Sequence, residues 1–475
     1  MTAEAIAPPR RRARPWRRAC VCLAFLALLI AVRAPFLRDE AVGEEGLFAF
    51  LVASPTPTSQ MSPDGLPKAL IANLDGISAL NSFRHSIGPY EVLERIPGAF
   101  LRALDVVSQP PTTRIVIVRL AFLALFMIGV SGLAWTAARA VEAPGRLDAA
   151  LALLIPFYAL TTPLAVGGSI QMQLDGAFGV LVAGLAATLL LSAPTNERGR
   201  LQCAIAGAIV GFGRAEWLLA LGVVAVATLL ATALLKTPRA GRKLVLDFLI
   251  GVALGAAAQF AISPVDFALS GATAQADFQH VSPWRLAERD ARYTIPVALL
   301  LASLAVVMIP NLRRRLGETP LTALVAGGAG AIFSGFALSG WAGDGFPRYY
   351  APALAMATYV ATRLAIDESP AWGPAVKAVL TLALIGGLAW NGDYIYRAHR
   401  DQVSITCHPG VSLAATTQRY AEAAQRDDGV LTFQQAGIWL THPTTRFMGE
   451  DMGYPGALRY LRERYPDWVD RLASP

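Results

Sequence analysis

Four carboxylates stand close together near the start of the chain, directly after an apolar run. The stretch Arg33-Ala-Pro-Phe-Leu-Arg-Asp39-Glu40 is followed shortly by Glu44 and Glu45. Carboxylates at a membrane surface repel one another and are costly to place against lipid, unless they face water, a cation or a polar substrate. The segment is therefore a candidate source of a general base or of cation ligands. The alternative is an acidic flank without a chemical role.

Two further sites place charged side chains within or beside apolar sequence. Asp175 follows Gln171-Met-Gln-Leu at the mouth of one apolar run, and Arg214 and Glu216 interrupt another. An unpaired charge in such surroundings is expensive, so each residue needs either a structural partner or a ligand. For Arg214 and Glu216 the structural alternative is an ion pair that closes a tight turn.

A basic and aromatic cluster, Asp344-Gly-Phe-Pro-Arg348-Tyr349-Tyr350, leads into a later apolar run. Arginine can bind a phosphate through two parallel hydrogen bonds. The alternative is an interfacial aromatic belt in which Arg348 reaches back to the polar surface. His85 lies in an earlier polar segment, where it is either an ordinary surface histidine or a hydrogen-bond donor to a phosphate.

A membrane-embedded helical framework must position these residues. Hydrophobic residues make up 54% of the 475 and charged residues 16%, which indicates more apolar surface than a soluble protein buries. Uncharged apolar runs of about 18 to 22 residues recur, which is the length that crosses a hydrocarbon core of roughly 30 Å. We predict an all-α polytopic membrane protein with about 11 transmembrane helices. The predicted spans are 19–37, 113–137, 147–163, 174–192, 201–213, 217–235, 244–262, 294–310, 320–339, 349–366 and 376–391.

Basic residues orient the predicted spans, because Lys and Arg beside a span stay in the cytoplasm. The tail 1–18 is rich in arginine, and so are the short loops that alternation places on the same side. The opposite short loops carry few basic residues. We therefore predict a multi-pass protein of the cytoplasmic (inner) membrane, with its N-terminus inside and its C-terminus outside. Residues 201–235 fit either two spans, as counted here, or one long broken helix.

Charge and cysteine content exclude several other classes of protein. The net charge of +7 comes mainly from arginine in predicted cytoplasmic loops, so no nucleic-acid partner is expected. Three of the four cysteines fall inside predicted spans and only Cys407 lies outside them, which excludes a disulfide framework and a cysteine-based metal cluster. A cleaved signal peptide is the alternative for the N-terminus, but Arg33 stands where a small-residue cleavage site would be needed, and no clean run of small, neutral residues follows it.

Two predicted outside segments are longer than simple connections. The loop 38–112 contains a polar stretch and then amphipathic sequence, which predicts helices lying flat on the outer membrane surface. The tail 393–475 predicts a small C-terminal α/β appendage outside the membrane. The remaining divisions are the basic tail 1–18 and a transmembrane domain over 19–392.

Alternation of the spans puts all four charged clusters on the outer face of the membrane. Carboxylates that act as a base or hold a cation, and arginines that bind a phosphate, then face one cavity. That combination suits the transfer of a group from a phosphorylated lipid.

In this order the motifs resemble those of the integral membrane glycosyltransferases of the C-type fold. Within them they resemble family 39, which includes protein O-mannosyltransferases and lipid A aminoarabinose transferases. The resemblance covers roughly residues 20–365. The matching segments are Arg33–Glu40, Arg114–Arg139, Thr162–Asp175, Gly211–Glu216 and Arg348–Pro352.

The resemblance implies a glycosyltransferase that uses a polyprenyl-phosphate sugar as donor. The Asp of the family's Asp-Glu pair is its proposed general base, which implies Asp39 here. A single base with a lipid phosphate as leaving group predicts inversion at the sugar. Glu40, Asp175 or a divalent cation between them are the candidates for orienting the base, so the need for a metal stays open, and no other cofactor is expected.

Basic residues of the outer loops bind the donor phosphate in that family. Arg214 and Arg348 are our candidates for this role, with Tyr349 and His85 as lesser ones. The chain departs from the family where a tyrosine often follows the Asp-Glu pair. It departs again in the first loop, where a His-Pro-Pro motif is reduced to His85 and Pro89.

The expected partners are the lipid-linked donor, membrane lipids, and a glycan, lipid or protein acceptor of the cell envelope. Loops carry variable recognition, so acceptor choice is predicted to lie in Ser54–Asp75 and in the tail 393–475. Two rival functions are a transporter or flippase for a lipid-linked sugar and an O-antigen ligase or polymerase. A transporter is expected to show paired halves and helices broken near the midplane, and a ligase to lack the early Asp-Glu pair.

Overall fold

The described part of the chain is almost entirely helical. In this computed structural model it comprises residues 15–39, 92, 96–106, 109–172, 174–234, 239–262, 320–338, 350–406, 411–424, 430–431 and 446–447. The α-helices are α1 (Pro15–Arg33), α2 (Pro97–Ala103), α3 (Pro111–Ala137), α4 (Arg146–Leu160), α5 (Pro163–Ile170), α6 (Gly179–Ser192), α7 (Glu197–Gly211), α8 (Ala215–Leu234), α9 (Arg239–Ile262), α10 (Pro320–Leu338), α11 (Ala351–Glu368), α12 (Pro374–Arg400) and α13 (Leu413–Ala424). Short 3-10 helices cover Ala34–Arg38, Ala138–Glu142 and Ser369–Ala371, and a π-helix covers Leu174–Phe178. Two short strands, β1 (Val430–Leu431) and β2 (Arg446–Phe447), pair in parallel.

Several helices have the length and composition of membrane spans, which confirms the predicted all-α polytopic membrane fold. Among the described residues, those that qualify singly are Pro15–Arg38, Thr112–Glu142, Trp217–Leu234 and Pro374–Arg400. Helices α4 and α5 qualify together as a pair bent by 60°, and Gly176–Ser192 and Pro320–Ser334 are shorter apolar helices. The count of about 11 spans stays a prediction, since it includes 294–310, outside the described residues.

The long helices are apolar on their outer surfaces, as expected of residues that face lipid. The large apolar side chains that α8 exposes lie at three- and four-residue spacing and are Leu219, Val223, Val226, Leu230 and Leu234. Among the largest fully buried side chains are those of Arg33, Arg119 and Arg214. Charged groups facing the interior and apolar groups facing outwards are typical of a membrane bundle.

Contacts between helix termini divide the bundle into two ends. At one end, the Arg18 guanidinium donates to Trp135 O at 3.1 and 3.2 Å, so the start of α1 meets the end of α3. At the other end, Arg33 Nη2 donates to Leu160 O at 2.8 Å, so the end of α1 meets the end of α4. We name these the Arg18 end and the Arg33 end. Helices α1, α3 and α4 therefore alternate in direction, as the predicted topology requires.

Residues 201–234 belong to two separate helices, α7 and α8, and not to one long broken helix. That both of them cross the membrane stays a prediction. Helix α7 carries Gly207 and Gly211, and α9 carries Gly251 and Gly255. A Cβ atom added at any of these four positions would overlap backbone of the other helix, the close approach expected of glycines four residues apart. Gly207 faces residues 248–252 and Gly211 faces residues 252–256, so the contacts advance in the same direction along both helices. Helices α7 and α9 are therefore parallel. Helix α8, between them in sequence, runs in the opposite direction.

The chain after α12 folds back onto α5. Ser404 N donates to Val411 O at 2.8 Å and Leu413 N to Gln402 O at 2.9 Å. Ile405 is buried against Gly167, where an added Cβ would overlap the Ile405 carbonyl oxygen. The predicted α/β appendage stays a prediction, because beyond this fold-back only α13, β1 and β2 belong to the described residues.

Candidate functional site

Asp39 follows a 3-10 helix that one arginine of α3 holds in place. The Asp39 N–H donates to Phe36 O at 3.2 Å, which ends the 3-10 helix. Arg119 Nη1 donates to Phe36 O at 2.8 Å and to Asp39 O at 2.6 Å. Arg119 is fully buried and Asp39 is half-buried. The buried guanidinium thus fixes the backbone from which the candidate base projects.

Arg33 is fully buried at the end of α1 and is held by neutral groups. Its Nε donates to Ser169 Oγ at 2.6 Å, and Nη1 donates to Leu29 O at 2.9 Å. Its Nη2 donates to Leu160 O, and the guanidinium carbon lies 4.5 Å from the centre of the Phe126 ring. Carbonyl dipoles and an aromatic face stabilise this cation. Within the described residues no carboxylate contacts it, so its charge raises the electrostatic potential of the Arg33 end.

A sharp change of direction after α4 brings the segment of Asp175 towards Arg33. Thr162 Oγ1 accepts from Ala165 N at 3.3 Å and Pro163 begins α5, a strong start for a new helix where one span, 147–163, was predicted to end. The π-helix that follows contains Asp175 and packs directly on α5, since a Cβ added at Gly176 would overlap the Gly168 carbonyl. Single π-helical turns are frequent at functional sites. The Asp175 side chain lies outside the described residues.

Gln171 lies between α5 and the π-helix and is fully buried. Neither Nε2 nor Oε1 of its carboxamide has a hydrogen-bond partner among the described residues. A buried polar group without a partner costs about 1–3 kcal/mol. Such a group therefore needs an explanation, and a ligand is one of the few available.

The Arg214 segment is a tight turn between α7 and α8. Arg214 is buried, and its carbonyl oxygen accepts from Leu218 N at 3.0 Å, which begins α8. From α9, Gln259 Nε2 donates to Gly211 O at 3.2 Å and also to Gly213 O. The turn is thus held by a side-chain amide from a third helix. The predicted structural partner of Arg214, Glu216, has its side chain outside the described residues.

Gly179 is the point where three of the predicted clusters meet. A Cβ added there would overlap Pro352 at the start of α11 and the Trp217 ring at the start of α8. Gly179 itself follows the π-helix that contains Asp175. The starts of α6, α8 and α11 are therefore in direct contact. Since α5 packs on the same π-helix and binds Arg33 through Ser169, this junction belongs to the Arg33 end.

The Arg33 end thus contains the described parts of the four clusters proposed from sequence, which are Asp39, the Asp175 backbone, Arg214 and Tyr350. Asp39 and Arg214 are described, whereas Asp175 is described in its backbone alone. The candidate residues outside the described part of the chain are Glu40, His85, Arg348 and Tyr349. The roles assigned to them remain predictions.

Asp401 is a further carboxylate at this end, just beyond α12, where His399 packs 6.0 Å from the Phe36 ring. Arg400 Nε donates to Asp401 Oδ1 at 2.7 Å. This hydrogen bond lowers the pKa of the Asp401 carboxyl below its ordinary value. Asp401 is therefore the carboxylate of an exposed ion pair, and no role in the reaction is assigned to it.

The sequence analysis did not single out Arg119, Gln171 or Gln259 as functional residues. Arg119 had a usable signal, because it interrupts the apolar run of α3 as Arg214 interrupts a later one. The two glutamines gave no such signal in the sequence, since an amide near an apolar run is common. Their importance follows from burial and from contacts between helices distant in sequence.

The described part of the chain contains no cluster of side chains that could bind a metal ion. No group of three or more His, Cys, Asp or Glu residues within it is placed to hold an ion. The two carboxylates between which a divalent cation was considered, Glu40 and Asp175, have side chains outside that part. The cation stays an open question.

The chain resembles a solved membrane-protein structure in its fold. No protein-family model and no curated protein matches the sequence. The chain is similar to the crystal structure of ArnT from Cupriavidus metallidurans bound to undecaprenyl phosphate, with a TM-score of 0.47 and 14% sequence identity. The match covers 95% of this chain and 73% of ArnT. A likeness at this level assigns no activity, so the function has to be inferred from this chain's own residues.

Proposed function

We propose that this protein transfers a sugar from a polyprenyl-phosphate donor to an acceptor, and that the reaction takes place at the Arg33 end of the bundle. The observation that carries the proposal is the burial of Arg33, Arg119 and Arg214 at the end where Asp39 lies. Buried cations in a membrane bundle are expensive and mark sites where anions bind or charge develops. The phosphate of a membrane lipid is an anion that reaches such a site from the bilayer.

The reaction proposed is a single displacement with inversion at the sugar. An acceptor hydroxyl oxygen attacks the anomeric carbon, and the bond from that carbon to the phosphate oxygen breaks. The polyprenyl phosphate leaves with the bonding electrons, and the Asp39 carboxylate takes the proton of the acceptor hydroxyl. The reaction needs only one base and one leaving group, and it forms no covalent enzyme intermediate.

The arginines have different tasks in this scheme. Arg119 positions the base, because its guanidinium binds the Asp39 carbonyl. Arg33 donates its described hydrogen bonds to the protein itself, so it acts on the phosphate through its charge alone. Arg214 is the candidate for direct, two-pronged phosphate binding, together with Arg348. Tyr349 and His85 are lesser candidates for the same phosphate.

The Arg33 end is assigned to the outer side of the cytoplasmic membrane. Of the basic residues that alternation places together, the described Arg18 and Arg139 support this assignment: Arg18 meets the end of α3, and Arg139 follows that helix directly, so both lie at the Arg18 end. Basic ends of membrane bundles stay in the cytoplasm. A lipid-linked donor and a glycan, lipid or protein of the cell envelope then approach from the opposite side. Acceptor recognition is assigned to Ser54–Asp75 and to the tail beyond α12.

Liposomes with the purified protein, an undecaprenyl-phosphate monosaccharide labelled in the sugar, and a cell-envelope fraction provide the test. A transferase releases undecaprenyl phosphate and moves the label to the acceptor. A flippase instead moves the intact labelled lipid between leaflets and releases nothing. A ligase transfers a preassembled glycan and leaves the monosaccharide donor untouched. Either of the latter two outcomes would overturn the proposal.

A further inference from the structure

We propose that the carboxamide of Gln171 binds a hydroxyl group of the transferred sugar and thereby helps to select that sugar. This inference rests on the proposed function and names a residue that reads the donor. The base, the phosphate ligands and the acceptor loops described above do not include it.

The first argument is the state of the side chain. Gln171 is fully buried, yet neither the donor nor the acceptor of its carboxamide is used within the described residues. Its neighbours differ in this respect. Ser169 Oγ donates to Val166 O at 2.8 Å and accepts from Arg33, and Thr162 Oγ1 donates to Ala159 O at 2.9 Å. Gln171 is therefore the exception in a segment whose other polar groups are paired.

The second argument is the chemistry of the amide. A carboxamide presents an N–H donor and a carbonyl acceptor side by side. A phosphate uses donors alone, a metal ion uses the carbonyl alone, and a lipid chain uses neither. A sugar hydroxyl is both donor and acceptor, and two neighbouring hydroxyls match both amide atoms. The unused N–H donor and carbonyl acceptor of Gln171 therefore match the sugar better than they match the phosphate or the lipid chain of the proposed donor.

The third argument is position. Gln171 ends α5, with its N–H bonded to Gly167 O at 3.0 Å, two residues after the serine that binds Arg33. The π-helix that contains Asp175 follows directly. Gly167 lets the Ile405 backbone pack against α5, and Gly176 lets the π-helix pack against the Gly168 backbone, without side chains between them. The amide is thus held in a rigid, enclosed segment, where water does not compete with a ligand hydroxyl.

A site of this kind selects its sugar because a missing hydroxyl group leaves a buried polar group without a partner. A buried amide built to bind a hydroxyl rejects a sugar that lacks it, because the amide then stays unpaired. The wild-type protein is therefore expected to transfer one monodeoxy analogue at least about 10²-fold less efficiently than the parent sugar. Replacement of Gln171 by an apolar residue of similar volume removes the penalty for that analogue. The ratio of the two efficiencies then falls towards one.

The experiment compares the wild-type chain with Gln171→Met, which keeps the volume, and with Met172→Leu as the matched control. Met172 is the adjacent buried residue, and leucine nearly conserves its volume. Donors are undecaprenyl-phosphate mannose, glucose and 4-amino-4-deoxyarabinose, followed by the monodeoxy analogues of whichever sugar the wild-type chain transfers. Efficiency of transfer and temperature of unfolding are measured for each protein. The expected result is unchanged or higher thermal stability in Gln171→Met, with discrimination lost against one analogue and kept in Met172→Leu.

Three outcomes overturn the inference. In the first, Gln171→Met discriminates against every analogue as strongly as the wild type does. In the second, its efficiency falls by the same factor with every donor and its unfolding temperature drops. In the third, Gln171→Met fails to fold while Met172→Leu folds. The last two mean that the amide serves the protein's own structure. Transfer by the wild type in these cases leaves the proposed function standing, whereas no transfer by the wild type from any donor overturns both.

Discussion

Arg119 of α3 donates from one nitrogen atom, Nη1, to the carbonyl oxygens of both Phe36 and Asp39, at 2.8 and 2.6 Å. Its own position is fixed by complete burial between helices. The candidate base therefore takes its place from a helix some 80 residues further along the chain. Small displacements of a reacting group lower rates strongly, so this contact makes Arg119 a positioning residue.

Arg119→Lys is expected to lower kcat by about tenfold to a hundredfold, because a single ammonium group holds the two carbonyls less rigidly. KM for the donor changes little, since Arg119 is not placed on the phosphate. Steady-state kinetics with varied donor separate the two effects. Arg18→Lys is the matched control, as Arg18 also binds a backbone carbonyl but at the opposite end. A rise in KM with kcat intact would place Arg119 on the donor instead.

Asp39→Asn is expected to reduce transfer by about 10² to 10⁴, because the amide keeps the shape of the side chain and removes the base. Folding should be unaffected, as judged by the yield and unfolding temperature of the purified protein. Asp367→Asn provides the control: Asp367 pairs with Arg363 at 2.7 Å at the Arg18 end, and partly exposed pairs contribute little to stability. Near-full activity of Asp39→Asn in membranes would remove Asp39 from the role of base.

Arg214→Lys and Arg348→Lys are expected to weaken use of the donor more than use of the acceptor. Lysine keeps the charge and loses the planar fork that binds two phosphate oxygens. The measurement is KM for the donor at saturating acceptor, beside KM for the acceptor at saturating donor. An acceptor defect with normal donor binding would show that the residue concerned does not bind the phosphate.

Gly251→Ala is expected to destabilise the α7–α9 pair, because the added methyl group overlaps the Ala204 carbonyl at the closest approach of the two helices. Overpacking of this kind costs about 1–3 kcal/mol. Gly222→Ala in α8 is the matched control: nothing lies within 4 Å of its added Cβ, so the change is neutral or stabilising. Thermal unfolding of both variants in detergent provides the comparison. Equal stability would show that α7 and α9 do not pack through these glycines.

Removal of 400–475 is expected to change or abolish acceptor use while donor binding stays measurable. Because Ile405 packs on α5 beside Gly167, that deletion also exposes this surface of α5, the helix that binds Arg33. A second truncation after Ala424 spares the fold-back and isolates the distal tail. Glycosylation of the native acceptor at the normal rate by this shorter deletion would make the distal tail dispensable for acceptor recognition.

The sequence by itself determined that the chain is a helical membrane protein and which segments bear unusual charge. Both properties are local, since about 20 apolar residues in a row span a bilayer whatever surrounds them. Arg214 stood out because a charge within an apolar run needs a partner. The same rule applies to Arg119, which also interrupts an apolar run, that of α3.

Tertiary structure alone decided which of these residues act together. The contact between Arg119 and Asp39, the bond from Arg33 to Ser169 and the junction at Gly179 join segments far apart in sequence. Such contacts depend on helix packing, and packing depends on where glycine permits close approach across the bundle. The unused amide of Gln171 became visible for the same reason: burial and the absence of a hydrogen-bond partner are properties of a side chain's three-dimensional surroundings.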